Sequence, residues 1–219
     1  MSRELASAWE RTADAWVTWS RDPTLDDDYW GWHQEAFLAF LPPPGLLTVD
    51  VGCGEGRLTR TLAVAGHRLL GLDAAPTMVH AAAMHSEAAP VVRADATALP
   101  LASGTADLLV FFMCLHDMDD ADAALSEGSR VLAPGGRAAI ALLTSRITAR
   151  LTGGLEEAAY AYPVESAGRT FTYSGRHRSL ETYVASAERV GLTVVDRREP
   201  ERSDGNRPFT HLLLAKERS

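Results

Sequence analysis

One stretch, Leu46 to Ala63 (LLTVDVGCGEGRLTRTLA), limits what this chain can fold into more than any other. Apolar residues at Leu46, Leu47, Val49 and Val51 predict a buried strand, Gly52, Gly54 and Gly56 follow, and Leu58 and Leu62 then recur at helical spacing. A strand that turns through three glycines into a helix is a loop where a ligand can approach the backbone, because no Cβ obstructs close contact or positive φ. The dinucleotide fingerprint G-x-G-x-x-G needs a glycine where this chain has Arg57. Asp50 and Glu55 place carboxylates beside the helix N-terminus, where they repel a pyrophosphate. A ligand with a cationic amino-acid end suits the loop better, which favours S-adenosylmethionine over NAD.

The chain has 219 residues, enough for one domain with a full core. With 21 Lys plus Arg against 29 Asp plus Glu it carries a net charge of −8, so nucleic acid and anionic membrane are not expected partners. Cys53 and Cys114 are its two cysteines, too few for a disulfide framework or a four-ligand metal site, and no metal is expected. The longest uninterrupted apolar run, Leu108 to Leu115, is too short to span a bilayer, and the first residues lack an apolar signal core. A reduced, cytoplasmic setting is the default expectation. Oligomeric state stays open, a homodimer included.

Residues 1–41 read as helices, with Leu5, Ala8, Trp9, Thr12, Trp16 and Trp19 near helical spacing and a second helix from Tyr29 to Leu41. This segment is read as an N-terminal lid, its tryptophans either core or a cover over a substrate. Pro42 to Gly45 mark the boundary to a core over residues 42–219. There strand and helix alternate, which builds a parallel sheet: strands at Leu46–Val51, His67–Leu72, Pro90–Arg93, Ala106–Cys114 and Arg137–Thr144, the last entered through the turn signal APGG. Helices are expected at Pro76–Ser86, Ala121–Val131 and Leu180–Val190. Thr193–Arg198 and Phe209–Lys216 should pair as an antiparallel hairpin at the end of the sheet. Residues 145–178 match no recognised pattern: Ile147–Tyr162 looks helical, Pro163–Arg178 irregular, and the whole is read as a substrate-side insertion.

Strand ends carrying Asp50 and the glycines, Asp73, Asp95 with Ala96, and Met113 to Asp117 should converge on one crevice at the carboxyl edge of the sheet. Together these motifs resemble the class I S-adenosylmethionine-dependent methyltransferases: VDVGCGEG, GLDAAPTMV, RADATALPLASGTADLLVF and EGSRVLAPGGRAAIAL fall in that family's order over residues 46–144. The resemblance implies a doubly wound α/β fold with a mostly parallel seven-stranded sheet and an antiparallel last strand. It implies that Asp50, Gly52, Cys53 and Gly54 hold the methionine part of the cofactor, Asp73, Ala74 and Met78 the ribose and adenine side, Asp95 and Ala96 the adenine, and that Met113 lies nearest the sulfonium. The flanks are similar to a small-molecule subgroup with a Tyr-Trp pair on an N-terminal helix, here Tyr29 and Trp30, and a His-Arg-x-Leu segment, here His177, Arg178 and Leu180.

The expected reaction is methyl transfer to O, N or C of a small organic acceptor by in-line displacement, in which positioning supplies most of the rate. A general base helps only where the acceptor is protonated at neutral pH. His116, just past the fourth strand, is the first candidate, with a loop or capping role as its plain alternative, and His177 is the second. Tyr29, Trp30, His33 and Tyr173 are the expected acceptor-side residues, while His67, His80 and His85 are expected to be structural. A protein that binds the cofactor without methyl transfer, as a cyclase or binding partner, is the main alternative; Arg57 and Glu55 disfavour an NAD-dependent oxidoreductase.

Overall fold

The computed structural model describes residues 4–22, 31–85, 89–166 and 169–218. Tyr29 and Trp30 lie outside them. Seven strands form one sheet: β1 (Thr48–Val51), β2 (Leu69–Asp73), β3 (Val91–Arg93), β4 (Ala106–Phe112), β5 (Leu132–Leu143), β8 (Leu192–Arg198) and β9 (Phe209–Lys216), in the spatial order β3-β2-β1-β4-β5-β9-β8. β1 to β5 are parallel, while β9 inserts antiparallel between β5 and β8. The order reverses at β1, so a crevice opens beyond its carboxyl end and that of β4.

Alternation within β4 explains how both faces are covered. Leu109 and Phe111 pack on one side with Ala124 and Leu125 of α5 (Ala121–Val131) and with Leu180, Tyr183 and Ala187 of α7 (Leu180–Arg189). Leu108, Val110 and Phe112 pack on the other with Leu58 and Leu62 of α3 (Arg57–Val64), Met78 of α4 (Pro76–Ala83), Phe37 of α2 (Gln34–Leu38) and Ala13 and Trp16 of α1 (Glu4–Ser20). α5 starts where the Asp120 carboxylate accepts from Ala123 N, and α7 where the Ser179 hydroxyl accepts from Thr182 N. Among the described residues no helix is long and apolar enough to cross a membrane.

Two expectations need correction. APGG is not a turn before the fifth strand: β5 begins at Leu132, opposite Ala106, and absorbs the sequence as an irregularity between Ala106 and Leu108, with Gly135 at φ 77°. Within residues 145–178, the helix expected over Ile147–Tyr162 holds only as far as Thr152, and Pro163–Arg178 is not irregular. α6 (Ser145–Thr152) stops at Gly153, in the left-handed region at φ 66°, and β6 (Ala159–Ser166) and β7 (Arg169–Arg176) pair antiparallel, Tyr162 facing Tyr173. Pro163 obscured this strand pattern, but a two-stranded ribbon has only edge strands, where proline is tolerated.

Candidate cofactor and acceptor crevice

A crevice of about 1400 Å³ lies at the carboxyl ends of β1, β2 and β4, with residues of α1, α6, β6 and β7 on its walls. Its floor is the glycine loop. Gly52 N and Cys53 N both donate to Leu72 O, at 2.7 and 3.0 Å, which pins the loop to β2. Gly52, Gly54 and Gly56 have φ of 72°, 56° and 81°, and a Cβ on Gly52 would stand 2.7 Å from Cys114 Cβ, so the glycine there is sterically required.

Asp73 closes the floor: Oδ2 accepts from Gly54 N and Oδ1 from Ala75 N, both at 2.9 Å. Each oxygen keeps capacity for a second donor. Asp50, 1% exposed, accepts from Thr59 Oγ1 at 2.6 Å. Burial raises its pKa to about 7, against the Thr59 hydrogen bond and with the help of the Asp73 charge. Burial also raises the Asp73 and Asp117 carboxyls, and with Asp50 it pushes the Cys53 thiol up. Glu55 apart, carboxylates outnumber guanidiniums seven to three along the walls, so the crevice suits a ligand with a cationic end. Glu55 is not one of the groups that repel a phosphate. Its 2%-exposed carboxylate is neutralised by Arg60 at 3.0 Å and Arg21 at 3.1 Å, with His85 at 3.6 Å.

Ala74, Met78, Asp95 and Ala96 lie along the same wall, Asp95 held in a local turn by Thr97 N and Oγ1 at 2.9 and 2.8 Å. Met113, at the end of β4, has φ 58°, a left-handed conformation for a non-glycine residue at the crevice edge.

His116 lines the crevice in a 3-10 turn, Leu115–Asp117, its Nε2 3.6 Å from Asp117 Oδ1. Burial lowers its pKa to about 4, so it is a neutral imidazole at pH 7. Tyr173 on β7 lies 5.0 Å from Trp9 and 4.9 Å from Trp16, centroid to centroid. These rings form an aromatic wall shared by α1 and β7.

Two expected site residues are elsewhere. His33 is fully buried beneath the sheet, stacked on Phe209 at 3.5 Å and Phe112 at 4.7 Å, with its Nε2 3.1 Å from His211 Nε2. A pattern that places a polar ring on an aromatic helix does not say which face turns inward. His177 is 3% exposed, its Nδ1 bonded to Thr148 Oγ1 at 2.6 Å, where it ties α6 to the end of β7 and stays off the crevice wall. Arg178 next to it bridges Asp122 and Glu157, the latter at 2.7 Å.

Sequence reasoning placed Asp117 at the crevice and left Trp9 and Trp16 between core and cover, but missed Ile147, Leu151, Tyr160 and Tyr162 as lining residues. The i, i+7 spacing of Trp9 and Trp16 was the available signal for one helix face, and the period-two tyrosines of AYAYPVES were the signal for β6.

The family model described as a methyltransferase domain matches residues 49–140. Over 148 residues the chain is 36% identical to a malonyl-[acyl-carrier protein] O-methyltransferase of Hahella chejuensis, covering 66% of this chain and 50% of that protein. Over 115 residues it is 37% identical to a 2-phytyl-1,4-naphthoquinone methyltransferase of Thermosynechococcus vestitus, covering 50% and 51%. The chain thus spans about half the length of these curated relatives. Among solved structures, an S-adenosylmethionine-dependent methyltransferase from Thermotoga maritima, titled a possible histamine N-methyltransferase, superposes with TM-score 0.73 at 18% identity, covering 98% of this chain and all of that one. The [4+2]-cyclase SpnF superposes with TM-score 0.72 at 15% identity, covering 100% and 97%. At such identities these likenesses concern the fold alone.

Proposed function

From the premise that this chain belongs to the class I S-adenosylmethionine-dependent methyltransferases, we propose that it transfers a methyl group to O, N or C of a small organic acceptor. The observation that carries this reading is the continuity of one crevice: glycine loop, Asp50, Asp73 and Asp95 at one end, Trp9, Trp16 and Tyr173 at the other, and His116 on the wall they share. The names of the relatives, a malonyl-carrier methyltransferase and a naphthoquinone methyltransferase, support a small acceptor group.

The donor set fits the cofactor: acidic walls for its ammonium, a Cβ-free loop for close approach, and a fixed carboxylate at the end of β2 with capacity for hydroxyl donors. S-adenosylmethionine, when bound, supplies an activated methyl on a sulfonium. Asp50, Gly52, Cys53 and Gly54 would hold its amino-acid end, Asp73, Ala74 and Met78 the ribose side, Asp95 and Ala96 the adenine, and Met113 the edge nearest the sulfur. α1 acts as a lid and excludes water, and α6 with the β6–β7 ribbon forms the acceptor side. His116, neutral at pH 7, presents one unprotonated ring nitrogen that can accept a hydrogen bond and, as the methyl is transferred, the proton of a hydroxyl acceptor; its burial makes it a weaker base than an exposed imidazole.

Calorimetric titration with S-adenosylmethionine and with S-adenosylhomocysteine tests the cofactor, and the appearance of S-adenosylhomocysteine on incubation with a panel of phenols, amines and carbon acids tests transfer. Micromolar binding of both with turnover is expected. Binding without any product would replace transfer by a cofactor-binding or cyclising role, and no binding would overturn the reading altogether.

A further inference from the structure

The crevice exceeds the roughly 300–1000 Å³ of a single-ligand pocket, so it has room for an acceptor beside the cofactor. On the α1 side it is fastened. Leu5 N and Ala6 N donate to the Asp119 carboxylate at 3.1 and 3.3 Å, and Glu10 accepts from Thr77 N and Oγ1 at 3.2 and 2.7 Å. The opposite side is built differently. On α6, Ile147 and Leu151 are spaced i, i+4 and share one helix face; on the neighbouring β6, Tyr160 and Tyr162 are spaced i, i+2 and share one strand face.

Both pairs run from depth to rim. Ile147 is half-buried and Leu151 is 43% exposed; Tyr160 is 8% exposed and Tyr162 is 52%. The deep end reaches His116: a Cβ built on Gly175 would stand 2.5 Å from Tyr160 Oη and 3.0 Å from His116 O, so bare backbone brings Tyr160 beside the 3-10 turn. The tyrosine pair therefore leads from the turn that carries the candidate base to solvent, with the Ile147–Leu151 pair of the neighbouring α6 beside it. The other rim, at Ala74, Arg93 and Thr97, is polar or charged apart from one small residue, and lies at the proposed adenine end.

Resting on the proposed function, we infer that the acceptor carries an apolar chain of several carbons beside the group that is methylated, and that this chain lies in the slot between Ile147–Leu151 and Tyr160–Tyr162 with its end at the Leu151–Tyr162 rim. A rim of exposed leucine and tyrosine continuous with the reaction chamber gains by covering apolar surface, which a compact polar acceptor would leave wet.

The test is calorimetric binding of 4-ethylphenol, 4-butylphenol and 4-hexylphenol to the full chain saturated with S-adenosylhomocysteine. Affinity should rise about fourfold for each added methylene that becomes buried. In Leu151→Glu and Tyr162→Glu the rise from butyl to hexyl should flatten, read as the ratio of 4-hexylphenol to 4-butylphenol affinity within each variant, with S-adenosylhomocysteine still bound. Equal affinity for all three phenols in wild type, no measurable binding of 4-hexylphenol, or a rise that persists unchanged in both variants would overturn the slot. Failure of S-adenosylhomocysteine itself to bind would instead overturn the proposed function, so the two failures are distinguishable.

Discussion

Replacing Asp50 by asparagine should stabilise the ligand-free protein and weaken the cofactor site. Asn keeps the shape and an oxygen for the Thr59 hydroxyl, now 2.6 Å from Asp50 Oδ2, but removes the buried charge. The Asp50 pKa is raised to about 7 from the ordinary 3.8, a gap that corresponds to about 4 kcal/mol. Because the folded value lies above the unfolded one, the contribution of this carboxyl to stability is complete below pH 3.8 and is lost as pH rises through 7. Urea denaturation of wild type and Asp50→Asn between pH 4 and 8.5 should thus show equal pH dependence at the acid end and a widening gap in favour of the variant. The gap should reach several kcal/mol at pH 7 and then level. S-adenosylmethionine should bind Asp50→Asn more weakly, and its affinity for wild type should fall as pH drops below 7, since its ammonium favours the ionised carboxylate. Parallel stability profiles would refute the burial argument, and cofactor affinity independent of pH from 5 to 8 would refute the assignment of the amino-acid end.

Gly52→Ala should abolish S-adenosylhomocysteine binding and lower stability by more than 2 kcal/mol, because its Cβ meets Cys114 Cβ at 2.7 Å, whereas Gly104→Ala, with a similar φ of 71° and open space, should cost only about 1 kcal/mol in chemical denaturation. His211 is 1% exposed with a pKa lowered to about 4 by burial and then by Arg198, so its contribution is complete above pH 6.5 and is lost as pH falls toward 4. The His33→Phe, His211→Leu double variant should therefore lose less stability than wild type over that window, by about 3 kcal/mol for His211 alone; parallel acid profiles would contradict it. His116→Ala should leave S-adenosylhomocysteine affinity unchanged and slow turnover of a phenolic acceptor about 10²-fold, and unaltered turnover would make it a bystander.

What the sequence made legible was everything carried by local period and turn chemistry. The glycine loop, the alternation of strand and helix and the terminal antiparallel pair follow from patterns a few residues long, because each needs only one face to be apolar or one backbone angle to be unusual. APGG misled for the same reason: its residues carry turn signals, and only the partner Ala106 shows that β5 runs through them. The β6–β7 ribbon was hidden because Pro163 and the glycines outweighed the alternation of Tyr160 and Tyr162. The histidines were the least legible. His33, His116 and His177 look alike in sequence, and what separates them is which element happens to pack beside each ring: Phe209 for His33, Thr148 for His177, and the crevice for His116.

The distribution of strain in the molecule bears on where it acts. Away from the crevice each choice agrees with its neighbours: Glu127 pairs with Arg130 at 2.7 Å, Ser179 caps the helix it precedes, and His67 shares a 2.9 Å contact with Thr48. At the crevice the agreements fail together. Asp50 is a buried acid and Asp73 and Asp117 are half-buried ones, with Asp73 raising the carboxyl of each of the other two, and Met113 holds φ 58° at the end of a parallel strand. Packing explains none of these, since a neutral side chain at Asp50 or an extended residue at 113 would cost less. Such costs persist where a bound group offsets them, and a ligand with a positive charge lying along the end of β1 and against the backbone at 113 would offset both. On the proposed function, these residues lie where the amino-acid end and the sulfur of the cofactor would sit, and the proposed apolar slot would begin beyond them.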